Sequence, residues 1–138
     1  MFIYFACSIT GGRQDQQVYG EITEALLGDG HEVPTAVFSR PGAVELEQTV
    51  SAEDVFRRDM EWLKTCDALV AEVSTPSHGV GYEVAWALSL GKPVLCCYQR
   101  GRRVSKMITG NAHPCLRLST YDTPDEAVAA VRGFLKGL

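Results

Sequence analysis

Two acidic residues, Asp59 and Glu83, flank one apolar run of the sequence. Asp59 lies in a helical pattern before residues 68–73, and Glu83 follows that run after a glycine-rich turn at residues 75–81. In an open α/β sheet, ligands bind in the crevice at the carboxyl ends of the strands. We therefore expect both carboxylates to face one crevice, where such a pair can cleave a glycosidic bond with retention. The pattern also allows a simpler role, because most acids on helices are solvated and Asp59 adjoins Arg57 and Arg58.

A second candidate site is the segment Ser8-Ile9-Thr10-Gly11-Gly12-Arg13, which follows the first apolar run. Glycines let the backbone approach a ligand, and the Ser8 hydroxyl and the amides of a following helix can donate hydrogen bonds to an anion. The segment matches neither the dinucleotide-binding fingerprint nor the Walker A loop. By itself it indicates a phosphate or sugar site and an ordinary tight turn about equally.

Other polar residues offer weaker signals. Tyr4 and Tyr82 are candidates for sugar or base contacts, with core packing as the alternative for Tyr4. His78 lies in the glycine-rich turn, where a histidine is usually solvent-exposed, and the three histidines lack the spacing of metal ligands. We expect neither a metal nor a cofactor. The cluster Arg100, Arg102 and Arg103 is either a solvated loop or a feature that attracts a phosphorylated substrate.

Composition restricts the classes of protein. The 138 residues suit one domain, residues 1–138, and the net charge of -4 argues against a nucleic-acid polymer or an anionic membrane as partner. No segment has the roughly 18 consecutive apolar residues of a membrane span. The five cysteines are odd in number and form no C-x-x-C pair, so we expect buried, reduced thiols. A strand pattern starts at residue 2 without a basic leader, which predicts a cytoplasmic protein, or a nuclear one if it is eukaryotic.

Alternating strand and helix patterns predict an α/β fold. We expect strands near residues 2–7, 31–38, 68–73, 94–98 and 116–121, and helices near residues 14–27, 51–65, 82–90, 105–110 and 125–135. Residues 39–49 contain Pro41 and Gly42 and are expected to form a mobile loop. This order predicts a doubly wound, mainly parallel five-stranded sheet with helices on both faces.

Several motifs together carry a resemblance to a known family. They are Tyr4-Phe5-x-x-Ser8-Ile9-x-Gly11-Gly12-Arg13, Asp59-x-Glu61-Trp62-Leu63, Ala71-Glu72-Val73 and Pro76-Ser77-x-Gly79-Val80-Gly81-Tyr82-Glu83. In this combination the chain resembles the 2′-deoxynucleoside 5′-monophosphate N-hydrolases of the nucleoside 2-deoxyribosyltransferase superfamily. The likeness extends from Phe2 to about Ile108. It implies a flavodoxin-like, or Rossmann-like, fold.

The resemblance also implies roles for individual residues. Glu83 would be the nucleophile that forms a covalent glycosyl-enzyme, Asp59 the general acid and base, and Tyr4 the residue beside the sugar that excludes a 2′-hydroxyl. The deoxynucleotide phosphate would bind Ser8, Ser77 and Ser105, with Ser105 supplied by the neighbouring subunit of a homodimer. Further substrate contacts are implied at Ile9, Gly11, Gly12, Arg13, Gly79, Gly81 and Met107.

One residue departs from the family pattern. Thr10 stands where these hydrolases have an arginine after Ser-Ile, and an arginine there would add charge to the phosphate site. We expect Arg13 or the cluster Arg100–Arg103 to compensate. Neither the preferred base nor a preference for modified bases can be inferred from the sequence.

Alternative functions remain open at this point. A deoxyribosyltransferase would pass the sugar to a second base, and a cytidylate-type ribonucleotide N-glycosidase would act on a sugar with a 2′-hydroxyl. The three serines placed for phosphate favour the hydrolase over the transferase, and Tyr4 disfavours the ribonucleotide. A nucleotide-binding sensor without catalysis is the alternative from another class, and the presence of both carboxylates favours an enzyme.

Overall fold

The computed structural model describes residues 1–138. The elements follow one another as β1 (Ile3–Ala6), α1 (Gln16–Gly28), a 3₁₀ helix (Pro34–Ser39), α2 (Ala43–Gln48), α3 (Ala52–Thr65), β2 (Ala68–Glu72), α4 (His78–Ser89), β3 (Val94–Gln99), α5 (Lys106–Thr109), β4 (Leu116–Tyr121) and α6 (Pro124–Lys136). No helix combines the length and the apolar character needed to cross a membrane.

The four strands form one parallel sheet in the order β1-β2-β3-β4. Tyr4 of β1 lies opposite Leu69 of β2, and Ala71 of β2 lies opposite Cys96 of β3. Because the strands are parallel, their carboxyl ends meet at one edge, where the segments after β1, β2 and β3 come together. The predicted parallel α/β architecture is confirmed.

The alternation of side chains along β1 separates two cores, one on each face of the sheet. Ile3 and Phe5 pack with α1, the 3₁₀ helix and α6. Tyr4 and Ala6 point to the other face and pack with α3 and α4. Helices therefore cover both faces, as expected, and the register of β1 turns Tyr4 toward the two helices that carry Asp59 and Glu83.

The predicted fifth strand is wrong. Around residues 31–38 the backbone makes one isolated parallel bridge, between Glu32 and Phe2, and then enters the 3₁₀ helix at Pro34. Proline has no N–H to donate to a sheet ladder, which ends pairing at that point. The Thr35 hydroxyl accepts a hydrogen bond of 2.9 Å from the backbone N–H of Phe5 instead. The Thr35 side chain thus pairs with a backbone N–H on the edge of β1 that a fifth strand would have covered.

Two other predicted boundaries are corrected. Residues 39–49, expected to be a loop, contain the short helix α2, which starts after Gly42 in the left-handed region at φ 85°. Helix α4 begins at His78 rather than at Tyr82, so Gly79 and Gly81 lie inside its first turns. The Ser77 hydroxyl caps the backbone N–H of Val80, and this cap together with the burial of Val80 outweighs the low helix propensity of the glycines.

The predictions for α3 and for the cysteines are confirmed. Ser51 is the N-cap of α3, and its hydroxyl accepts a hydrogen bond of 3.2 Å from the backbone N–H of Asp54. All five cysteines are free, and all but Cys115 are buried. Buried thiols here act as small apolar side chains in the two cores.

Candidate active site

Glu83 and Tyr4 meet across the interface between α4 and β1. The Tyr4 hydroxyl donates a hydrogen bond of 2.6 Å to the Glu83 carboxylate. Burial, followed by the nearby carboxyls of Glu83 and Asp59, raises the pKa of Tyr4 well above its ordinary value. The phenol therefore stays protonated and acts as a donor, and it fixes one oxygen of the Glu83 carboxylate.

The Glu83 carboxyl is partly buried beside the cavity described below. Burial raises its pKa to about 7, and the charges of Asp59 and Glu47 act in the same direction. The hydrogen bond from Tyr4 and the guanidinium of Arg58 act in the opposite direction. A carboxylate that is desolvated yet held by one donor combines reactivity with a defined orientation, as a nucleophile requires.

Asp59 faces the same space from α3. Its carboxylate Oδ1 accepts a hydrogen bond of 2.8 Å from Nε of Arg58, and its side chain is only 17% exposed. Of the two arginines that precede Asp59, Arg58 is the partner, whereas Arg57 pairs with Asp54 on the surface. The structure thus places Asp59 out of bulk solvent, with its second oxygen free of that ion pair.

A cavity of about 430 Å³ joins the two carboxylates. Asp59, Glu83 and Glu47 provide its charged groups, and the remaining lining is mostly apolar or aromatic: Val50, Ala52, Val55, Phe56, Met60, Gly79 and Tyr82. Apolar walls with a few convergent polar groups are typical of small-molecule sites. The cavity has the size and lining to accommodate a planar ring beside two acids.

The segment after β1 lies against the start of α4. Ser8 is fully buried, and its hydroxyl has no hydrogen-bond partner within the protein. A Cβ at Gly11 would lie 2.3 Å from the carbonyl oxygen of Pro76 and 2.9 Å from the Ser8 hydroxyl. Gly11 therefore permits the close approach of two loops that carry Ser8 and Ser77.

The arginine beside this segment is already engaged. The Arg13 guanidinium donates hydrogen bonds to the backbone carbonyls of Ser8, at 3.0 Å, and Arg40, at 2.9 Å, and lies over the ring of Tyr19. These contacts tie the turn to the end of the 3₁₀ helix. Arg13 shapes the turn through them, and both of its terminal nitrogens are engaged.

The arginines after β3 divide into paired and unpaired members. Arg100 pairs with Asp122, and Arg102 pairs with Asp15 at 3.1 Å while also donating to the carbonyl of Ser74. Arg103 makes no ion pair and is exposed. Only Arg103 of this cluster is therefore free to bind an anion without breaking an existing contact.

A second, larger cavity of about 900 Å³ lies beside the first, on the other side of α4. Its lining includes Ser77, Gly81, Arg103, Ser105 and Met107. Ser105 is exposed, and its hydroxyl accepts a hydrogen bond from the backbone N–H of Met107. Met107 is itself 84% exposed. Ser105 and Met107 face outward, so this part of the larger cavity forms a groove at the protein surface.

Three charged residues near the site have roles that the sequence did not indicate. Glu72 is fully buried on the sheet face opposite Glu83, and the Ser74 and Tyr121 hydroxyls donate to it, the latter at 2.9 Å. The signal available in the sequence for Glu72 was an acid within the apolar strand pattern of residues 68–73. Glu47 reaches the site from α2, and its proximity to Arg58 depends on how α2 packs beside α3. The pairing of Arg58 with Asp59 was one of the alternatives that the sequence offered, but the confinement of Arg58 between Phe38 and Trp62 was not.

Comparisons with known proteins agree on one group. The sequence profile described as nucleoside 2-deoxyribosyltransferase matches residues 3–133. The 5-hydroxymethyl-dUMP N-hydrolase of Mus musculus is 39% identical over 129 residues, which are 91% of this chain and 74% of the mouse protein. The protein of the same name from Esox lucius is 36% identical over 143 residues, covering 100% of this chain and 98% of its own.

A solved structure gives the same fold. The CMP N-glycosidase of Clostridium botulinum superposes with a TM-score of 0.73 over 96% of this chain and 98% of its own, at 19% sequence identity. At that identity the likeness concerns the fold. It extends over both faces of the sheet and hence over the framework that positions Asp59 and Glu83.

The contact at Gly11 predicts a loss of stability on substitution. Gly11→Ala should lower the free energy of unfolding by about 1–3 kcal/mol, because the added methyl must displace the Pro76 carbonyl. Gly20→Ala in α1 is the matched control, since nothing lies within 4 Å of its Cβ position. Alanine in a helix interior should be neutral or stabilising there. Equal effects of the two substitutions in urea denaturation would refute the close approach.

The burial of Glu83 predicts a pH-dependent stability. Its folded pKa of about 7 lies above the ordinary glutamate value, so the folded state loses stability as pH rises through that range. Glu83→Gln removes this loss, and its unfolding free energy relative to the unmodified protein should be higher at pH 8.5 than at pH 5 by about 1–3 kcal/mol. Chemical denaturation at both pH values measures this difference, and a pH-independent difference would show that Glu83 is not desolvated.

Proposed function

Because the chain belongs to the nucleoside 2-deoxyribosyltransferase family, we propose that it hydrolyses the N-glycosidic bond of 2′-deoxynucleoside 5′-monophosphates. The products are the free base and 2-deoxyribose 5-phosphate. The observation that carries the proposal is the Tyr4–Glu83 hydrogen bond at the edge of a cavity that Asp59 also lines. The relatives from mouse and pike bear the name of a hydrolase for one such nucleotide, 5-hydroxymethyl-dUMP.

In the first step, a Glu83 carboxylate oxygen attacks the anomeric carbon. A carbon–oxygen bond forms, the carbon–nitrogen bond to the base breaks, and its electron pair leaves with the base. Asp59 donates its proton to the departing base, which otherwise is a poor leaving group, and is left as a carboxylate. The product of this step is a 2-deoxyribosyl 5-phosphate ester of Glu83.

In the second step, water takes the position vacated by the base. Asp59 accepts a proton from this water, the oxygen of the water attacks the anomeric carbon, and the ester bond to Glu83 breaks. Glu83 returns to its carboxylate form. Asp59 thus alternates between acid and base, as microscopic reversibility requires of one group on the leaving-group side.

Tyr4 serves the proposed reaction by position and by bulk. Its hydrogen bond of 2.6 Å holds the nucleophile and favours the ionised carboxylate. Its ring packs against the α3 and α4 face beside Glu83, so a substrate at Glu83 would bring the sugar next to the phenol. A 2′-hydroxyl would compete for that space, which favours a deoxyribonucleotide over a ribonucleotide.

The phosphate is proposed to bind at the starts of α1 and α4. Ser8 supplies a buried hydroxyl without an internal partner, and Ser77 and Gly79 lie at the N-terminus of α4, where backbone amides can donate to an anion. Gly81 lies in the same first turns, but its N–H already donates to the carbonyl of Ser77, so it would contribute close approach of the backbone and not a donor. Ile9, Gly11 and Gly12 bring the backbone of the preceding turn alongside. Arg103 is the arginine that compensates for Thr10, because Arg13 and Arg102 are held by other contacts.

A homodimer would complete the site. Ser105 and Met107 are exposed beside the groove that contains Ser77. An exposed aromatic row of Phe56, Tyr82 and Trp86 lies along α3 and α4, with the ring centres of Tyr82 and Trp86 6.2 Å apart. Exposed aromatic side chains in a row are typical of interfaces. We propose that Ser105 of each protomer reaches the phosphate bound by its partner.

Substitution of the two acids tests the proposed reaction. Incubation with deoxynucleoside monophosphates should yield free base by chromatography, Glu83→Ala should abolish its release, and Asp59→Asn should slow it by about 10²–10⁴-fold. Both variants should still bind nucleotide in calorimetry. Equal rates of base release by Glu83→Ala and the unmodified protein would show that Glu83 is not the nucleophile. Binding of nucleotide without any release of base by the unmodified protein would indicate a nucleotide sensor.

The same assay separates the remaining alternatives. A second free base added to the reaction would be converted to a new nucleotide by a transferase but would remain unchanged with a hydrolase. Cytidine 5′-monophosphate tests the ribonucleotide alternative. Cleavage of this ribonucleotide at the same rate as the deoxynucleotide would favour that alternative. Unphosphorylated deoxynucleoside should react far more slowly, because it lacks the binding energy of the phosphate.

Mixed dimers test the contribution of the partner subunit. Ser105→Ala should raise the KM for the nucleotide about 10-fold through the loss of a hydrogen bond to a charged group. Mixing Ser105→Ala with Glu83→Ala should regenerate one unmodified site in each mixed dimer and restore the ordinary KM. No recovery on mixing would place Ser105 and Glu83 of one site on the same chain.

A further inference from the structure

Arg58 is held more firmly than a surface arginine. Its guanidinium carbon lies 4.7 Å from the ring centre of Phe38 and 5.1 Å from that of Trp62, and the side chain is 25% exposed. Phe38 comes from the 3₁₀ helix, and Trp62 lies one turn further along α3. Two aromatic rings from separate elements therefore confine the planar group, an arrangement that suits arginine and not lysine.

The confined guanidinium contacts two acids that line the smaller cavity. Nε donates to Oδ1 of Asp59 at 2.8 Å, and Nη2 lies 3.6 Å from Oε2 of Glu47 on α2. Nη2 of Arg58 and Oε2 of Glu47 are both buried without a hydrogen-bond partner. Arg58 thus connects the candidate acid to the segment that covers the cavity from the side of α2.

The positive charge of Arg58 also affects the acids that border the smaller cavity. The carboxyls of Glu47, Asp59 and Glu83 border one cavity, and Arg58 is the cation among them. The groups that act on Glu83 are Tyr4 on β1, Asp59 and Arg58 on α3, and Glu47 on α2. Because Arg58 alone carries positive charge in this set, its removal would leave mutually repelling acids in a desolvated space.

We propose that Arg58 is a positioning residue for the reaction. It holds Asp59 with one carboxylate oxygen occupied and the other available to the base or to water, and it offsets the negative charge that Asp59 and Glu47 place beside Glu83. This inference rests on the proposed function, since it assigns Arg58 a part in the same site. Asp59 remains the group that touches the substrate.

The experiment compares Arg58→Met with Arg57→Met. The two arginines are adjacent, but Arg57 is 77% exposed and pairs only with Asp54, so its substitution should leave base release and its pH dependence unchanged. Arg58→Met should lower kcat about 10- to 100-fold, as expected for a misplaced acid, while KM changes much less. The acid limb of kcat/KM should move to higher pH, because Arg58 no longer favours the ionised form of Glu83.

Two further variants separate positioning from mere stability. Arg58→Lys keeps the charge but loses the planar group, so the acid limb should stay near its ordinary position while kcat remains reduced. Glu47→Gln removes a like charge while keeping Arg58, and should move the acid limb to lower pH. If Arg58→Met does not fold, the shift of the acid limb in Glu47→Gln tests the inference about charge beside Glu83.

Failure of the proposed function and failure of the inference about Arg58 give different experimental results. If the unmodified protein releases no base from any deoxynucleotide, the proposed function fails. If it does release base while Arg58→Met retains kcat within twofold, the inference about Arg58 is overturned. An acid limb that stays fixed in both Arg58→Met and Glu47→Gln also overturns it, and a fall in kcat that merely tracks a loss of folded protein in thermal unfolding does so as well.

Discussion

The hydrogen bond from Tyr4 to Glu83 is the contact on which the candidate site depends. It joins the first strand of the sheet to α4 and places a phenol donor against a desolvated carboxyl. The register of β1 is what makes it possible, since a slip by one residue would turn Tyr4 into the core formed with α1 and α6. The chemistry of the site is therefore fixed by the same alternation that builds the two cores.

The structure surrounds this contact with compensating charges. Burial alone would favour a protonated Glu83, and two further acids strengthen that tendency. A donor on one side and a clamped guanidinium on the other counteract it, so the carboxyl titrates near neutral pH. A nucleophile that is partly ionised at neutral pH and poorly solvated is well suited to attack a carbon that develops positive charge.

Sequence reasoning was most successful where one element determined the result. The alternation of β1, the cap at Ser51 and the acids on either side of β2 all follow from local pattern, and the structure brings Asp59 and Glu83 to one cavity. The predictions failed at element boundaries, where one local signal outweighed another. Pro34 ended a predicted strand, α2 occupied a predicted loop, and the start of α4 moved to His78 because a serine cap prevailed over glycine. A family resemblance, not spacing, indicated Ser105 and Met107.

The arginines show a second limit of prediction from sequence, which is set by tertiary contacts. Composition gives a cluster of cations near a phosphate-like turn, but it does not say which are already paired. In the structure Arg13 and Arg102 bind backbone carbonyls and an aspartate, Arg103 is free, and Arg58 lies between two rings that are far apart in sequence. Such assignments depend on tertiary contacts, which no pairwise rule along the chain can supply.

The central claim is that Glu83 attacks the sugar directly, and the stereochemistry of the product tests it. When the reaction is run in water with methanol, the released sugar phosphate is captured as a methyl glycoside whose anomer can be read by NMR. Two successive displacements through Glu83 predict the β-anomer, the configuration of the starting nucleotide. Formation of the α-anomer would show that the solvent attacks in a single step and would contradict a covalent intermediate on Glu83.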